Sequence, residues 1–248
     1  FFTYLLKDLR ILFRTPIFLV NNVIMNFLWP FFLGLPLLAA GSNDPDLAQL
    51  QALLEGLKSG QDAGAAPVLL AGFWGLALFV TGSSGIAESA LSREGSQFYL
   101  MKTLPMSYTR QIAAKLAAAI VLNLAGLLLS LALLTFYLKL PASFVLLALL
   151  TLPGALLLSN LSGIIFELHW PKLHWDNEQK AVKQNMNVLY GILTAVLFAG
   201  LVLTPVLLLK LTLLSTALVV ILGPLILSAG LLAYLRRLIP RRMRAIPG

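Results

Sequence analysis

Residues 116–138 read LAAAIVLNLAGLLLSLALLTFYL, a stretch without one Asp, Glu, Lys, Arg or His. A barrel strand would alternate apolar and polar positions over about ten residues, whereas this stretch is apolar all round. About 20 such residues, rising 1.5 Å each as a helix, match a hydrocarbon core roughly 30 Å thick. The stretch is therefore predicted to be a transmembrane helix. Reading outward by the same criterion places further spans at 17–40, 67–87, 143–166, 188–209 and 213–235, all equally free of charge and histidine. That exclusion is what a cost of roughly 2.5–3.5 kcal/mol per central charge demands. The expected fold class is an all-α membrane protein, residues 1–248 forming one domain of six transmembrane helices.

Composition agrees. The chain is 59% hydrophobic and 11% charged, with mean hydropathy +0.89, against about 45–50% and 25% in soluble domains. It lacks the polar surface that a soluble protein of 248 residues needs. With no Cys, disulfides, thiolate zinc sites and thiol nucleophiles are excluded. The net charge of +8 would point a soluble protein toward nucleic acid, but here the basic residues report topology first. Six spans leave both termini on one side with loops 1–16, 88–115, 167–187 and 236–248, and 15 of the 18 Lys and Arg lie in that set. The positive-inside rule places this side in the cytoplasm. The tail RRLIPRRMR, residues 236–244, then reads as a stop signal touching anionic head groups, and no nucleic-acid partner is expected. Trp29 and Trp74 lie too deep for interfacial anchors and are expected to pack between helices.

The loops hold the chemistry. Residues 1–16, FFTYLLKDLRILFRTP, set Lys7, Arg10 and Arg14 on one side of a helix with Phe2, Leu5, Leu6, Leu9, Leu12 and Phe13 around the rest. This predicts an N-terminal amphipathic interfacial helix turned at Thr15-Pro16, with a plain extension of the first span as the alternative. In the outer loop 41–66, turn formers flank a helical stretch with Leu47, Leu50, Leu54 and Leu57 on one face. Between spans two and three, Ser92 is positioned to cap a helix carrying Arg93 and Glu94, Pro105 ends it, and Ser107 caps the next. The apolar Phe98, Leu100, Met101 and Leu104 make it a short, half-buried docking element. Ordinary solvated charge is the alternative for Arg93 and Glu94.

Loop 167–187 contains the echo HWPKLHW and a polar helix start at Asp176, followed by Glu178, Lys180 and Lys183. His169 and His174 do not have zincin or zinc-finger spacing, so no metal site is expected. No G-x-x-x-x-G-K-[ST] or G-x-S-x-G string occurs, so neither nucleotide hydrolysis nor serine hydrolysis is expected on this chain. Polar residues within the spans, among them Asn21, Asn22, Asn26, Asn123 and Asn160, read as helix-packing features, with a substrate path as the alternative. Gly191, Ala195 and Ala199 recur every four residues, a stripe that lets another helix approach closely.

Three strings, KDLRILFRTP, SREGSQFYLMKTLP and PKLHWDNEQKAVKQNMN, resemble the permease subunits of type-2 ATP-binding-cassette exporters, in a branch common in Gram-positive bacteria. The likeness runs in order over nearly the whole chain. It implies a bacterial cell-membrane subunit driven by a separate cytoplasmic ATPase, which holds the ATP and Mg while this chain carries no cofactor. It also implies a second permease half or a homodimer partner. Because such permeases often have about twice as many spans and the chain begins at Phe1, the resemblance implies the C-terminal half of a longer protein. Ser92, Arg93, Glu94, Gly95, Lys102 and Pro105 fall in the family's coupling region. Arg93 and Glu94 are expected as the polar part of the docking contact, and Phe98 with Leu104 as the apolar part. Three rivals remain: an ATP-independent transporter or channel, an interfacial lipid enzyme using Glu167, His169 or His174, and a structural scaffold.

Overall fold

The computed structural model describes residues 1–39, 45–60 and 64–246, the side chains of 33–39 and 45–47 excepted. Among these residues the elements are helical throughout: α1 (Phe2–Arg14), α2 (Pro16–Phe18), a π segment (Leu19–Ile24), α3 (Met25–Ala39), α4 (Pro45–Ser59) and α5 (Ala65–Ser83). A 3₁₀ turn (Ser92–Phe98) and α6 (Tyr99–Thr103) follow, then α7 (Tyr108–Leu138), α8 (Ala142–His169), α9 (Glu178–Val182), α10 (Met186–Leu208) and α11 (Leu213–Ala245). The helices α5, α7, α8 and α11 are each long and apolar enough to cross a membrane, as is the stretch that ends in α10. The chain is a multi-pass helical membrane protein.

At Thr15-Pro16 the first helix and the segment after it meet at 86°. Thr15 is extended and Pro16 opens α2, as expected where a proline ring forbids helical geometry to its predecessor. The N-terminal helix thus lies across the bundle while the next segment enters it. Its Tyr4, Asp8 and Leu12 form the inward stripe.

Helix ends differ from the sequence expectation in one direction. α7 begins at Tyr108 rather than 116, α8 runs to His169, and α11 continues through the arginine tail to Ala245. Lys115 and Glu167 are therefore residues of spanning helices, not of loops. The apolar criterion finds only the part of a helix bathed in lipid, and hydrogen bonding carries the helix beyond it. Lys139 in the left-handed region and Pro141 at the next N-cap make the tight α7–α8 turn.

Packing uses small residues and amides. α10 lies along α5, with Gly82 against the Gly191 carbonyl and Gly75 against Ala199. The stripe expected on α10 is the seam with α5. Trp74 is buried, and Trp29 meets Phe79 edge-on at 5.2 Å. Asn22 donates to the Ser84 carbonyl, Asn26 to the Leu122 carbonyl and Asn123 to Asn160 Oδ1, at 2.8, 2.9 and 3.0 Å. All four asparagines are fully buried, so they tie helices together. On α4, Leu54 is buried and Leu50 and Leu57 are half-buried; the turn formers expected at 40–44 and 61–63 lie outside the described residues.

Both chain ends sit on one face. The Lys102 ammonium donates to the Ile246 carbonyl, and Lys7 of α1 reaches Glu94. Residues 88–107 and 167–187 lie on this same face.

The α3–α7 crossing admits one direct check. A Cβ on Gly126 would stand 2.5 Å from Asn26 Nδ2 and 2.9 Å from its Cγ. Gly126→Ala is expected to lower stability by about 1–3 kcal/mol through this overpacking, read as a lower midpoint of thermal unfolding in detergent.

Candidate functional site

The segment after α5, GIAESALSREG at 85–95, is rich in small residues and folds back into the end of the bundle. Glu88, Ser89, Ser92, Arg93 and Glu94 are all buried there. Two polar clusters hold it.

The first joins α1, the 3₁₀ turn and α7. The Lys115 ammonium, fully buried, donates to Glu94 Oε1 at 2.6 Å and to Asp8 Oδ1 at 2.7 Å. Lys7 completes the Glu94 carboxylate with bonds of 3.0 and 2.8 Å, and Arg93 reaches Asp8 Oδ2 at 3.3 Å. The other terminal guanidinium nitrogen of Arg93, Nη1, donates to the Ile86 carbonyl and Ser89 Oγ. The Tyr4 ring lies 5.0 Å from the Lys7 ammonium and 5.8 Å from that of Lys115, within cation–π range. Three cations and two anions therefore share one site, enclosed except at Lys7, whose side chain is partly exposed. Burial pushes the Glu94 carboxyl up, but Lys115 and Lys7 outweigh it and hold the group at about 2.

The second cluster centres on Glu167 near the end of α8. Its carboxylate accepts from the backbone amides of Leu91 and Ser92, from Ser92 Oγ, and from the side-chain amides of Asn185 and Asn187, at 2.7–3.0 Å. Ser92 Oγ in turn accepts from the Lys172 amide. Trp175 donates its indole N–H to the Ser92 carbonyl and covers Gly95. Gly95 sits at φ 52°, and a Cβ there would stand 2.5 Å from the Trp175 ring. Both the backbone and the contact require glycine.

These contacts revise several expectations. Ser92 does not cap a helix through its side chain; its hydroxyl binds Glu167. Arg93, Glu94 and Phe98 do not face outward, because ionic and apolar partners within the chain enclose them. What the segment exposes is Ser96, Gln97, Tyr99, Leu100, Thr103, Leu104 and Pro105, with Lys102 half-exposed. Of the residues first singled out, Leu104 and Pro105 are at the surface. Pro105 follows the extended Leu104 that ends α6, as its ring requires.

In the second loop, Asn177 caps α9 by accepting from the Gln179 amide, and Lys180 pairs with Asp176 at 2.7 Å on the surface. Glu178 begins α9, and Lys183 lies just beyond it and is exposed. His169 Nδ1 bonds the Ile165 carbonyl, while Trp170, His174 and Arg242 join His169 around a cavity of about 330 Å³. Glu167 is fully enclosed and holds five donors, so its lone pairs are not free for interfacial acid–base chemistry. Sequence reasoning missed Lys115, Asp8, Asn185 and Asn187. The only signal for them was the density of small residues around 82–95, which lets a polar segment enter a bundle.

Compared with known proteins, the chain matches no family model, no curated protein and no solved structure.

Lys115→Met leaves Asp8 and Glu94 buried without their shared cation and is expected to cost about 3–5 kcal/mol. The sign with pH follows from Glu94: its folded value of about 2 lies below the ordinary 4.5. The cluster's contribution is thus present above about 4.5 and is lost as pH falls through about 2. Unfolding midpoints of wild type and Lys115→Met measured between pH 7 and pH 2 should converge on the acid side.

Proposed function

We propose that this chain is the membrane-spanning permease subunit of an ATP-binding-cassette transporter, an exporter by its resemblance, with both termini cytoplasmic. Residues 92–110 take up movement from a separate cytoplasmic ATPase subunit. The observation that carries this reading is the two-sidedness of the segment. Its outer side offers Tyr99, Leu100, Leu104 and Pro105. Its inner side is bonded through Glu94 and Arg93 to α1 and α7, and through Ser92 to α8 and, by way of Asn185, to the start of α10. A push on the exposed side therefore reaches four helices through buried ion pairs to α1 and α7 and buried hydrogen bonds to α8 and α10, at 2.6–3.3 Å. A loop that served only to connect two spans needs no such anchoring.

This division of labour changes which residues meet the partner. Tyr99, Leu100, Leu104 and Pro105 dock, whereas Arg93, Glu94 and Phe98 transmit. The arginine-rich end of α11 holds anionic head groups on the same side, in keeping with the positive-inside rule. A second permease half, or a second copy of this chain, completes the path. Gradient-driven transport is the second reading, favoured by one feature: Glu88 is a carboxylate enclosed in the bundle without a side-chain hydrogen-bond partner.

The complete gene product, isolated from its own host in mild detergent, is expected to bring a nucleotide-binding subunit with it. Leu104→Asp or Tyr99→Asp should reduce the recovered ATPase at least about tenfold, a loss of ~1.4 kcal/mol in binding. The mutant permease itself should remain folded, because both side chains are exposed. Absence of any ATPase from the wild-type preparation, or equal recovery with the variants, would overturn the docking assignment.

A further inference from the structure

Glu88 stands in the turn after α5, outside the spanning helices, and the transmission path above does not use it. It has no exposed surface, and neither carboxylate oxygen has a side-chain hydrogen-bond partner, the backbone amides of Ala87 and Glu88 alone acting on it. The neighbouring carboxylates are all bonded: Glu167 by five donors, Glu94 by two lysines, Asp8 by Lys115 and Arg93. Glu88 fits because its neighbours on two helices are glycines. A Cβ on Gly163 of α8 would stand 2.6 Å from Oε1, and one on Gly191 of α10 would stand 2.9 Å from Cγ. The Glu88 side chain is thus wedged where α8 and α10 converge on the end of α5.

Two charged groups act on it, Glu167 from α8 and Arg93 from the 3₁₀ turn, while α10 meets it with Gly191. Arg93 already donates to the Ile86 carbonyl, Ser89 and Asp8. A bare carboxylate in this place would be an enclosed charge without a side-chain donor, facing a second carboxylate, which is the costly arrangement. The neutral acid avoids that cost. Burial pushes the Glu88 carboxyl up to about 8, Glu167 adding to the rise while its own backbone amide and Arg93 oppose it. A metal ion is the poorer occupant, since such ions need several oxygens and those of Glu167 already accept five bonds.

We propose that Glu88 is a proton-binding site of the bundle: its carboxyl holds the proton while the turn after α5 is seated between Gly163 and Gly191, and gives it to water when α10 parts from that turn. The carboxyl O–H is the one covalent bond that breaks, water taking the proton, and the Asn185 hydrogen bonds to the Glu88 carbonyl and to Ser92 Oγ open with the seam. The seated form binds the proton and the parted form releases it, so seating and protonation favour one another. With a folded value of about 8 against an ordinary 4.5, the seated form is fully favoured below about 4.5 and loses that advantage as pH rises through about 8. The link holds whether ATP or a gradient drives the cycle.

The test uses the full chain in lipid nanodiscs. Infrared difference titration should show a protonated-carboxyl band that disappears near pH 8 and is missing in Glu88→Gln. If Glu88→Gln fails to fold, Glu88→Asp supplies the assignment by shifting the band. The chain has no cysteine, so Ser84→Cys, at a site 2% exposed beside the seam, gives a single reporter for a water-soluble thiol reagent. Between about pH 6 and about pH 9 its labelling should rise at least about tenfold more with Glu88 present than in the Glu88→Gln background, where the reagent's own pH dependence cancels. No band titrating near 8, a band unchanged in both Glu88 variants, or equal labelling ratios would overturn the proposal.

Discussion

A lysine without exposed surface, Lys115, sits about two turns inside the start of α7 with its ammonium between Asp8 and Glu94. Enclosing that charge is tolerable only while both carboxylates are present and correctly placed. The constraint fixes three things together: where α1 crosses the bundle, how deeply the segment after α5 folds in, and where α7 begins. The 86° turn at Thr15-Pro16 brings Asp8 within reach. The glycine at 95, covered by Trp175, lets the 3₁₀ turn reverse so that Glu94 points inward. Removing any one of these would strip Lys115 of one of its two buried carboxylates, which is why α1, the 3₁₀ turn and α7 hold together.

The spans were legible because lipid enforces a uniform rule. Runs such as 116–138 and 143–166 can be nothing but helices there, and the broken backbone at Thr15-Pro16 follows from proline geometry alone. The seam between α5 and α10 was legible in the spacing of Gly191, Ala195 and Ala199. The candidate site was not. Charges between apolar runs ordinarily mark loops in water, so Arg93, Glu94, Lys115 and Glu167 read as surface. Nothing in local spacing says that Asp8 will meet Lys115 across more than a hundred residues of chain. Only the crowding of Gly, Ala and Ser at 82–95 hints that this segment enters the bundle.

Two carboxylates a few residues apart illustrate how packing sets charge. Glu94 has two ammonium partners and is held at about 2; Glu88 has no side-chain partner and rises to about 8. Their surroundings, not their chemistry, make one a permanent anion that locks the segment in place and the other a group that gains and loses a proton. The turn thus carries both a fixed ionic anchor and, six residues before it, a carboxyl whose charge depends on pH. The carboxylate of Glu167, bonded by Ser92, Asn185 and Asn187, ties the lock to α8 and to the start of α10.

The central claim is that the segment between α5 and α7 is part of the rigid bundle rather than a mobile connection. Hydrogen exchange at the backbone amides of Leu91 and Ser92, which donate to Glu167 at 2.8 and 2.7 Å, tests it most directly. Protection comparable to the amides in the middle of α7 and α8 is the expected result, because these donors open only when the end of the bundle does. Exchange as fast as in the exposed residues Ser96 and Gln97 would contradict it.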